Sequence, residues 1–437
     1  MATTAVLLLA GTIFLWGVVS GRLERDDLTA PVVFVAAGGL FAALHIVDTP
    51  SAMASFKVVV EVTLVWVLFS DAAGVPFRDV RQDLGRIVRL LAIGLPLTVL
   101  AGWGLAQWLL PSLGIWLALL VGAALAPTDA ALGLPVVTNP AVPSRIRKLI
   151  TVESGLNDGI VTPVVMFALA GAATAEGIHG ASGLWAALAE LGIGVVVGGA
   201  VGLAGGRALQ WARREGWAAE DFAGVAVLAL ALVTYTAALT VHGNGFVAAF
   251  CGGLVFGAVA GRRGPAELVF IEQVGGLVSV LVWFAFGALA IPILVDGIDL
   301  RVVLYAVLSL TLVRMVPVAI SCVGSGIDRR SVLFVGWFGP RGLASLVFAL
   351  LALEELGPGA AAGAVSIIGL TVLMSVLAHG VTARPLSGRY GRGAPDQAGR
   401  PEPARPGWSR NWRGAVGVER DRVARSTGRT GDRGRPR

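Results

Sequence analysis

The sequence predicts an all-α polytopic membrane protein of about thirteen transmembrane helices, two inverted repeats whose broken helices cross at the midplane. Three observations predict it. Of the 437 residues 56% are hydrophobic and 14% charged, whereas a soluble domain carries about 25% charged residues. Apolar runs of the length that crosses a bilayer as a helix, about 20 residues, recur from the N-terminus to Leu386. Two of those runs are interrupted near their middle by proline and glycine beside a charge. Only helices and closed barrels satisfy the backbone in lipid, and runs this continuous lack the alternation of barrel strands.

The spans fall near residues 4–20, 30–47, 54–72, 87–110, 113–138, 149–172, 184–206, 221–241, 245–260, 270–295, 300–322, 331–353 and 361–383. The first run reads as a span, since it lacks the basic start and Ala-x-Ala site of a signal peptide. Cys251 and Cys322 both lie in apolar runs and suit packing, not a disulfide framework. Two units result: a transmembrane domain over 1–386, and a basic tail over 387–437 too poor in apolar residues to form a core. From Arg384 onward fourteen arginines face five acids, an excess of nine, so of the total charge of +6 the body carries −3. The basic character therefore belongs to the tail and gives no reason to expect nucleic acid as a partner. Loops after odd-numbered spans hold the basic clusters, among them Arg78 and Arg81, Arg145 to Lys148, and Arg329 and Arg330. The positive-inside rule then puts the N-terminus outside and the tail in the cytoplasm of a multi-pass protein of the cell membrane.

Span 5 is interrupted at Ala126-Pro127-Thr128-Asp129 and span 12 at Gly339-Pro340-Arg341-Gly342. Proline removes a backbone donor and clashes with the preceding turn. The two interruptions lie seven spans apart. An odd offset makes the two copies cross the membrane in opposite directions, the geometry of an inverted repeat with a binding site at the midplane. The plainer alternative is two kinked helices without a shared role.

Ionisable groups inside a bilayer are costly and mark function. Asp129, Glu153, Asp158, Arg314 and Arg341 are the deepest, with Lys57, Glu61, Asp71 and Glu272 nearer span ends. On span 6, Glu153 and Asn157 share one helical face and Ser154 and Asp158 the next, about 100° away. A small cation takes hard oxygen ligands. Asp158, Asp129, Ser154, Thr128 and carbonyls freed near Pro127 form such a set. A carboxylate in a partly dry site holds its proton more tightly, so proton and cation compete for it. Competition at one carboxylate is sufficient for exchange. A buried Glu153 needs a cationic partner. Arg314 and Arg341 are the deep cations of the later spans, and Arg314 is the preferred one. The alternative for the span 6 acids is neutral, hydrogen-bonded packing.

Glu153-Ser-Gly-Leu-Asn-Asp-Gly159 resembles the Glu-Ser-x-x-Asn-Asp-Gly signature of the monovalent cation:proton antiporter-1 family, the NhaP/NHE-type sodium/proton exchangers. Pro127-Thr128-Asp129 is similar to its Thr-Asp-Pro segment, Gly339-Pro-Arg-Gly342 to its Gly-x-Arg-Gly segment, and Gly243-Asn-Gly-Phe246 to its Gly-x-x-Gly-Phe region. The resemblance implies thirteen helices in a core and a dimerisation domain, hence a homodimer. It makes Asp158 the carboxylate shared by cation and proton, supported by Asp129 and Thr128. It puts Asn157 where electrogenic relatives have a second aspartate, which implies one-for-one, electroneutral exchange. Glu153 would pair with Arg314, and Arg341 would offset the broken helix ends. The departures are Gly155, where a bulkier apolar residue is common, and the proline, which precedes Thr128 here instead of following Asp129.

The expected activity is thus exchange of Na⁺ or Li⁺ for H⁺ by a secondary transporter, with K⁺/H⁺ exchange as the rival of the same fold and a cation channel as the rival of another class. No resident cofactor is expected. The sequence holds no Walker loop, paired-cysteine metal motif or nucleophile elbow, so an enzyme is not indicated.

Overall fold

A computed structural model describes residues 2–23, 29–46, 49–75, 83–130, 132–177, 184–260, 265–295 and 299–393. The regular structure among the described residues is helical throughout. α1 spans Ala2–Leu23, α2 Ala30–Ala43, α3 Thr49–Gly74 and α4 Leu84–Leu109. The first interrupted stretch forms α5 (Gly114–Ala124) and the single turn α6 (Leu134–Val137). There follow α7 (Ser144–Ala175), α8 (Leu184–Arg214), α9 (Glu220–Thr240), α10 (Gly245–Val259), α11 (Pro265–Val295) and α12 (Leu300–Ser321). The second interrupted stretch forms α13 (Arg329–Trp337) and the start of α14 (Leu343–Gly393).

α14 is two helices end to end. Gly357 sits at φ +76° and Pro358 follows it, so a left-handed glycine turns the chain and the proline restarts it. With each interrupted stretch counted once, and α14 divided at Gly357, the described residues form thirteen apolar stretches at the positions expected. Among them, six helices are long and apolar enough to cross a membrane unaided. The fold is that of an all-α polytopic membrane protein.

Small residues set the closest helix contacts. A Cβ on Gly198 or Gly202 of α8 would lie 2.3 Å from the carbonyl oxygen of Ala248 or Gly252 on α10. The glycine-rich run 194–206 therefore lets two backbones touch, which is how helices gain packing energy where lipid competes for their side chains. The same device joins α3 to α10, where a Cβ on Gly253 would stand 2.3 Å from the Phe69 carbonyl.

Two helices carry a π turn, Leu90–Gly94 in α4 and Ser309–Val313 in α12. These are spans 4 and 11, again seven apart, and each directly precedes an interrupted span. The same pair, a π-bulged helix followed by a broken stretch, thus occurs twice among the described residues. The Tyr305 hydroxyl of α12 donates to the Gly102 carbonyl of α4 at 3.2 Å and joins the two.

Polar caps mark several helix starts. Asn244 accepts the Val247 amide at 3.0 Å, and Asp299 accepts that of Arg301 at 3.0 Å. Asp328 accepts the Arg330 and Ser331 amides at the start of α13 and takes the Ser331 hydroxyl as well.

One boundary moves. The tail was expected to begin at residue 387, but α14 continues to Gly393. Its last turns are held by Tyr390, whose ring stacks on Phe334 at 4.2 Å and whose hydroxyl lies 2.6 Å from that of Ser331. Polar composition hid an aromatic anchor. Residues 394–437, the rest of the expected tail, lie outside the described residues, as do the side chains of Lys57 and Glu272.

The cap at Asp328 makes a test. The Ser331 hydroxyl and the backbone amides hold its carboxyl below the usual carboxylate value. A depressed folded pKa stabilises above the unfolded pKa of about 3.9 and loses that effect as pH falls through the folded value. Asp328→Ala is expected to lower stability by about 1 kcal/mol at neutral pH. Thermal unfolding in detergent is expected to show a gap from wild type that closes on acidification; a gap independent of pH would contradict the assignment.

Candidate functional site

The two interruptions meet. α5 ends at Ala124 and α13 at Trp337, and the intervening segments pass through each other's neighbourhood instead of continuing as helix. The Asp129 amide donates to the Pro340 carbonyl at 2.8 Å, and the Leu343 amide donates to the Asp129 carboxylate at 3.1 Å. One residue of the first break thus both gives to and takes from the second. The carboxylate at the start of α14 also matches the positive end of that helix. Gly342 is required here, because a Cβ would stand 2.1 Å from the Asp129 carboxylate.

Arg341 closes the crossing from the other side. It is fully buried. Its Nη1 donates to the carbonyls of Ala126 at 2.8 Å and Pro127 at 3.0 Å, beyond the end of α5 where helical acceptors run out. Pro127 can donate no amide, so its role is to end the helix and free these carbonyls.

α7 supplies the acids. Glu153 and Arg314 form a bidentate ion pair at 2.7 and 2.8 Å, with each side chain only 2% exposed. Arg314 emerges directly after the π turn of α12, a local widening that turns its side chain toward α7. Gly339 lies against it: a Cβ there would be 2.7 Å from Arg314 Nε and 2.8 Å from the Thr128 methyl. The pair therefore supports the wall on which both breaks lean.

Beside the pair, Asn157 Nδ2 donates to Thr128 Oγ1 at 2.8 Å, and Thr128 and Ser154 share a hydroxyl hydrogen bond of 2.9 Å. All three side chains are buried. They fasten α7 to the first break as one polar lock. Asp158 stands one turn further on. It is 7% exposed, and its backbone carbonyl accepts the Thr162 hydroxyl at 2.7 Å. No donor occupies its carboxylate among the described residues. Asp129 and Asp71 both lie within electrostatic reach of it.

Asp71 was ranked below the other acids on sequence grounds, as a group near the inner end of span 3 where water is close. The structure brings it to the site. It is exposed, and Cβ of Asp71 lies 4.0 Å from where a Cβ on Gly155 would be. Positions 155 and 158 share a face of α7, so Asp71 overlies the turn that carries Asp158. The small residue at 155, a departure from the pattern, leaves α3 room to approach. Asp71 was hard to identify because its place depends on a contact between α3 and α7 that leaves no trace in local spacing. Among the described residues no group of three His, Cys, Asp or Glu closes into a ligand cluster.

Discontinuous helices that cross beside sparse, buried charges define a secondary-transporter fold. The chain belongs to the family described as sodium/hydrogen exchanger, transmembrane, whose pattern matches residues 6–388. It is 24% identical over 361 residues to the K(+)/H(+) antiporter NhaP of Alkalimonas amylolytica, covering 80% of this chain and 60% of that protein. It is 22% identical to the Na(+)/H(+) antiporter ApNhaP of Aphanothece halophytica, covering 76% and 64%. The chain thus spans less than two thirds of the length of these relatives. The fold is shared with the sodium proton antiporter MjNhaP1 of Methanocaldococcus jannaschii, with a TM-score of 0.73 at 21% identity over 89% of this chain and 99% of that one.

The buried ion pair makes the second test. Removing one member leaves an uncompensated charge and costs roughly 3–5 kcal/mol, whereas an apolar pair of similar volume is often neutral. Arg314→Ala is expected to lower the melting temperature and the yield of monodisperse protein, and Glu153→Leu combined with Arg314→Met to recover much of both. A single variant as stable as wild type would show the pair to be dispensable.

Proposed function

We propose that this chain is an antiporter that exchanges a monovalent cation, Na⁺ or Li⁺, for H⁺, with Asp158 as the carboxylate that both ions share. The observation that carries the reading is the state of Asp158 itself. It is nearly buried, no donor occupies its carboxylate among the described residues, and it faces two further acids. Such a group favours whatever positive species reaches it, a proton or a small cation. Glu153 is committed to Arg314, and Asp129 accepts the Leu343 amide, so these acids have structural partners that Asp158 lacks.

In the exchange step the cation meets the Asp158 carboxylate and oxygen ligands drawn from Asp129, Thr128 and Ser154, and the proton leaves. On the other side a proton displaces the cation. The loaded or protonated site is neutral enough to move, and the bare carboxylate is held back by the cost of a lone charge in lipid. Asn157 carries no charge and its amide is engaged with Thr128. A single titrating carboxylate on this face supports one-for-one, electroneutral exchange. Exposed Asp71 supports a role as the first acid that an entering cation meets. The basic loops support an orientation with the C-terminal segment in the cytoplasm.

K⁺/H⁺ exchange is the second reading, favoured by the relative from Alkalimonas amylolytica, which is a K(+)/H(+) antiporter. Everted vesicles loaded with protons separate the two. Addition of Na⁺ or Li⁺ is expected to collapse ΔpH, and a response to K⁺ alone would move the assignment to K⁺. No cation-driven proton movement would remove the antiport reading. Asp158→Asn is expected to abolish exchange while the protein still folds. Competition also sets a pH dependence: where the site is mostly protonated, each unit of acidification raises the apparent KM for the cation by about tenfold. A KM independent of pH would exclude a shared carboxylate.

A further inference from the structure

The second half of α14 places Ser375, His379 and Thr382 at i, i+4 and i+7, along one helical face. That face lies on the second break. Ser375 is fully buried and His379 is 3% exposed. The Arg341 amide donates to Ser375 Oγ at 2.7 Å. His379 Nε2 is 2.8 Å from the Trp337 carbonyl oxygen, and Nδ1 is 3.1 Å from Ser375 Oγ and 2.8 Å from the Ser375 carbonyl oxygen. The imidazole is enclosed by Trp337 and Phe338, with ring centroids 5.2 and 6.4 Å away. The Trp337 indole donates to Thr382 Oγ1 at 3.0 Å.

These bonds grip the break at both ends. Trp337 is the last residue of α13, and Arg341 is two residues before α14. Ser375 Oγ accepts from the Arg341 amide and lies 3.1 Å from Nδ1, whose shorter contact is with the Ser375 carbonyl oxygen. The Trp337 carbonyl can only accept, so Nε2 carries a hydrogen and donates it there. In this arrangement the imidazole links Trp337, Ser375 and the Arg341 amide in one relay. The segment it spans, 338–342, contains Pro340, whose carbonyl takes the Asp129 amide, and leads to Leu343, whose amide holds the Asp129 carboxylate.

We propose that His379, acting with Ser375, is a positioning residue for cation exchange: it fixes the second break and thereby holds Asp129 in place beside Asp158. The proposal rests on the exchange reading above. It follows from the order of contacts, since His379 touches neither acid and reaches them only through the backbone of the break. A side chain that merely filled space would have no reason to bond the carbonyl before the break and, through Ser375, the amide after it.

His379→Gln and His379→Asn, compared in the full chain in everted vesicles, test the role. The glutamine amide reaches as far as Nε2 and keeps the donor to Trp337; the asparagine amide stops near Nδ1 and loses it. The apparent KM for the cation is expected to rise about tenfold in His379→Asn with a much smaller change in kcat, and to stay within about twofold of wild type in His379→Gln. Melting temperatures of both variants, read in detergent, separate a shifted KM from a damaged fold. An unshifted KM in His379→Asn, or an equal loss in both variants, would overturn the proposal. If His379→Asn does not accumulate, Ser375→Ala against Ser375→Thr decides: the rise is expected in the alanine variant alone, and an unchanged KM there overturns the relay. Wild type in the same vesicles keeps the two claims apart. Absence of exchange in wild type removes the exchange reading, whereas exchange with an unshifted His379→Asn removes only the role of His379.

Discussion

Two helices end inside the apolar part of this protein, and their freed backbone groups have no bulk water to meet. An unsatisfied amide or carbonyl in lipid costs several kcal/mol. The fold answers by letting each break satisfy the other. The Asp129 amide goes to Pro340, the Leu343 amide goes to Asp129, and Arg341 takes the carbonyls of Ala126 and Pro127. Neither break is stable alone, so the crossing defines the position of both. The polar lock of Thr128, Ser154 and Asn157 then ties that crossing to α7. Asp158 receives its place last, as the next turn of a helix already fixed from two sides.

Charge is distributed by the same logic. Glu153 and Arg314 neutralise each other in a bidentate pair. Arg341 faces carbonyl dipoles, and Asp129 faces the start of α14. Asp158 is left among acidic neighbours, Asp129 and Asp71. A site built this way is poorly satisfied when empty and improved by a single positive charge. On the exchange reading proposed above, that is the electrostatic condition for exchange: two different cations are each welcome, and they exclude one another.

Much of this was legible in residues 126–129, 153–159 and 339–342, because proline, glycine and charge are conspicuous in an otherwise apolar chain. The count of spans followed from hydropathy and alternating loop charge, and the described helices follow it. The two π turns were invisible, since Leu90–Gly94 and Ser309–Val313 have ordinary apolar composition. The end of the last helix was misplaced because one stacked tyrosine, Tyr390, outweighs the polar residues around it. Asp71 was underweighted and His379 was not singled out, for a shared reason. Each belongs to the site through a contact between helices far apart in the chain, and spacing along one helix carries no information about such a contact.

The central claim is that cation and proton compete for one carboxylate, Asp158. Calorimetric titration of the purified protein with Na⁺, in two buffers of different ionisation enthalpy, measures the protons released on binding. The account predicts that a proton leaves for each cation bound at a pH where the site is protonated, and that Asp158→Asn loses both the binding and the release. Cation binding to the wild-type protein with no proton released at any pH would contradict it.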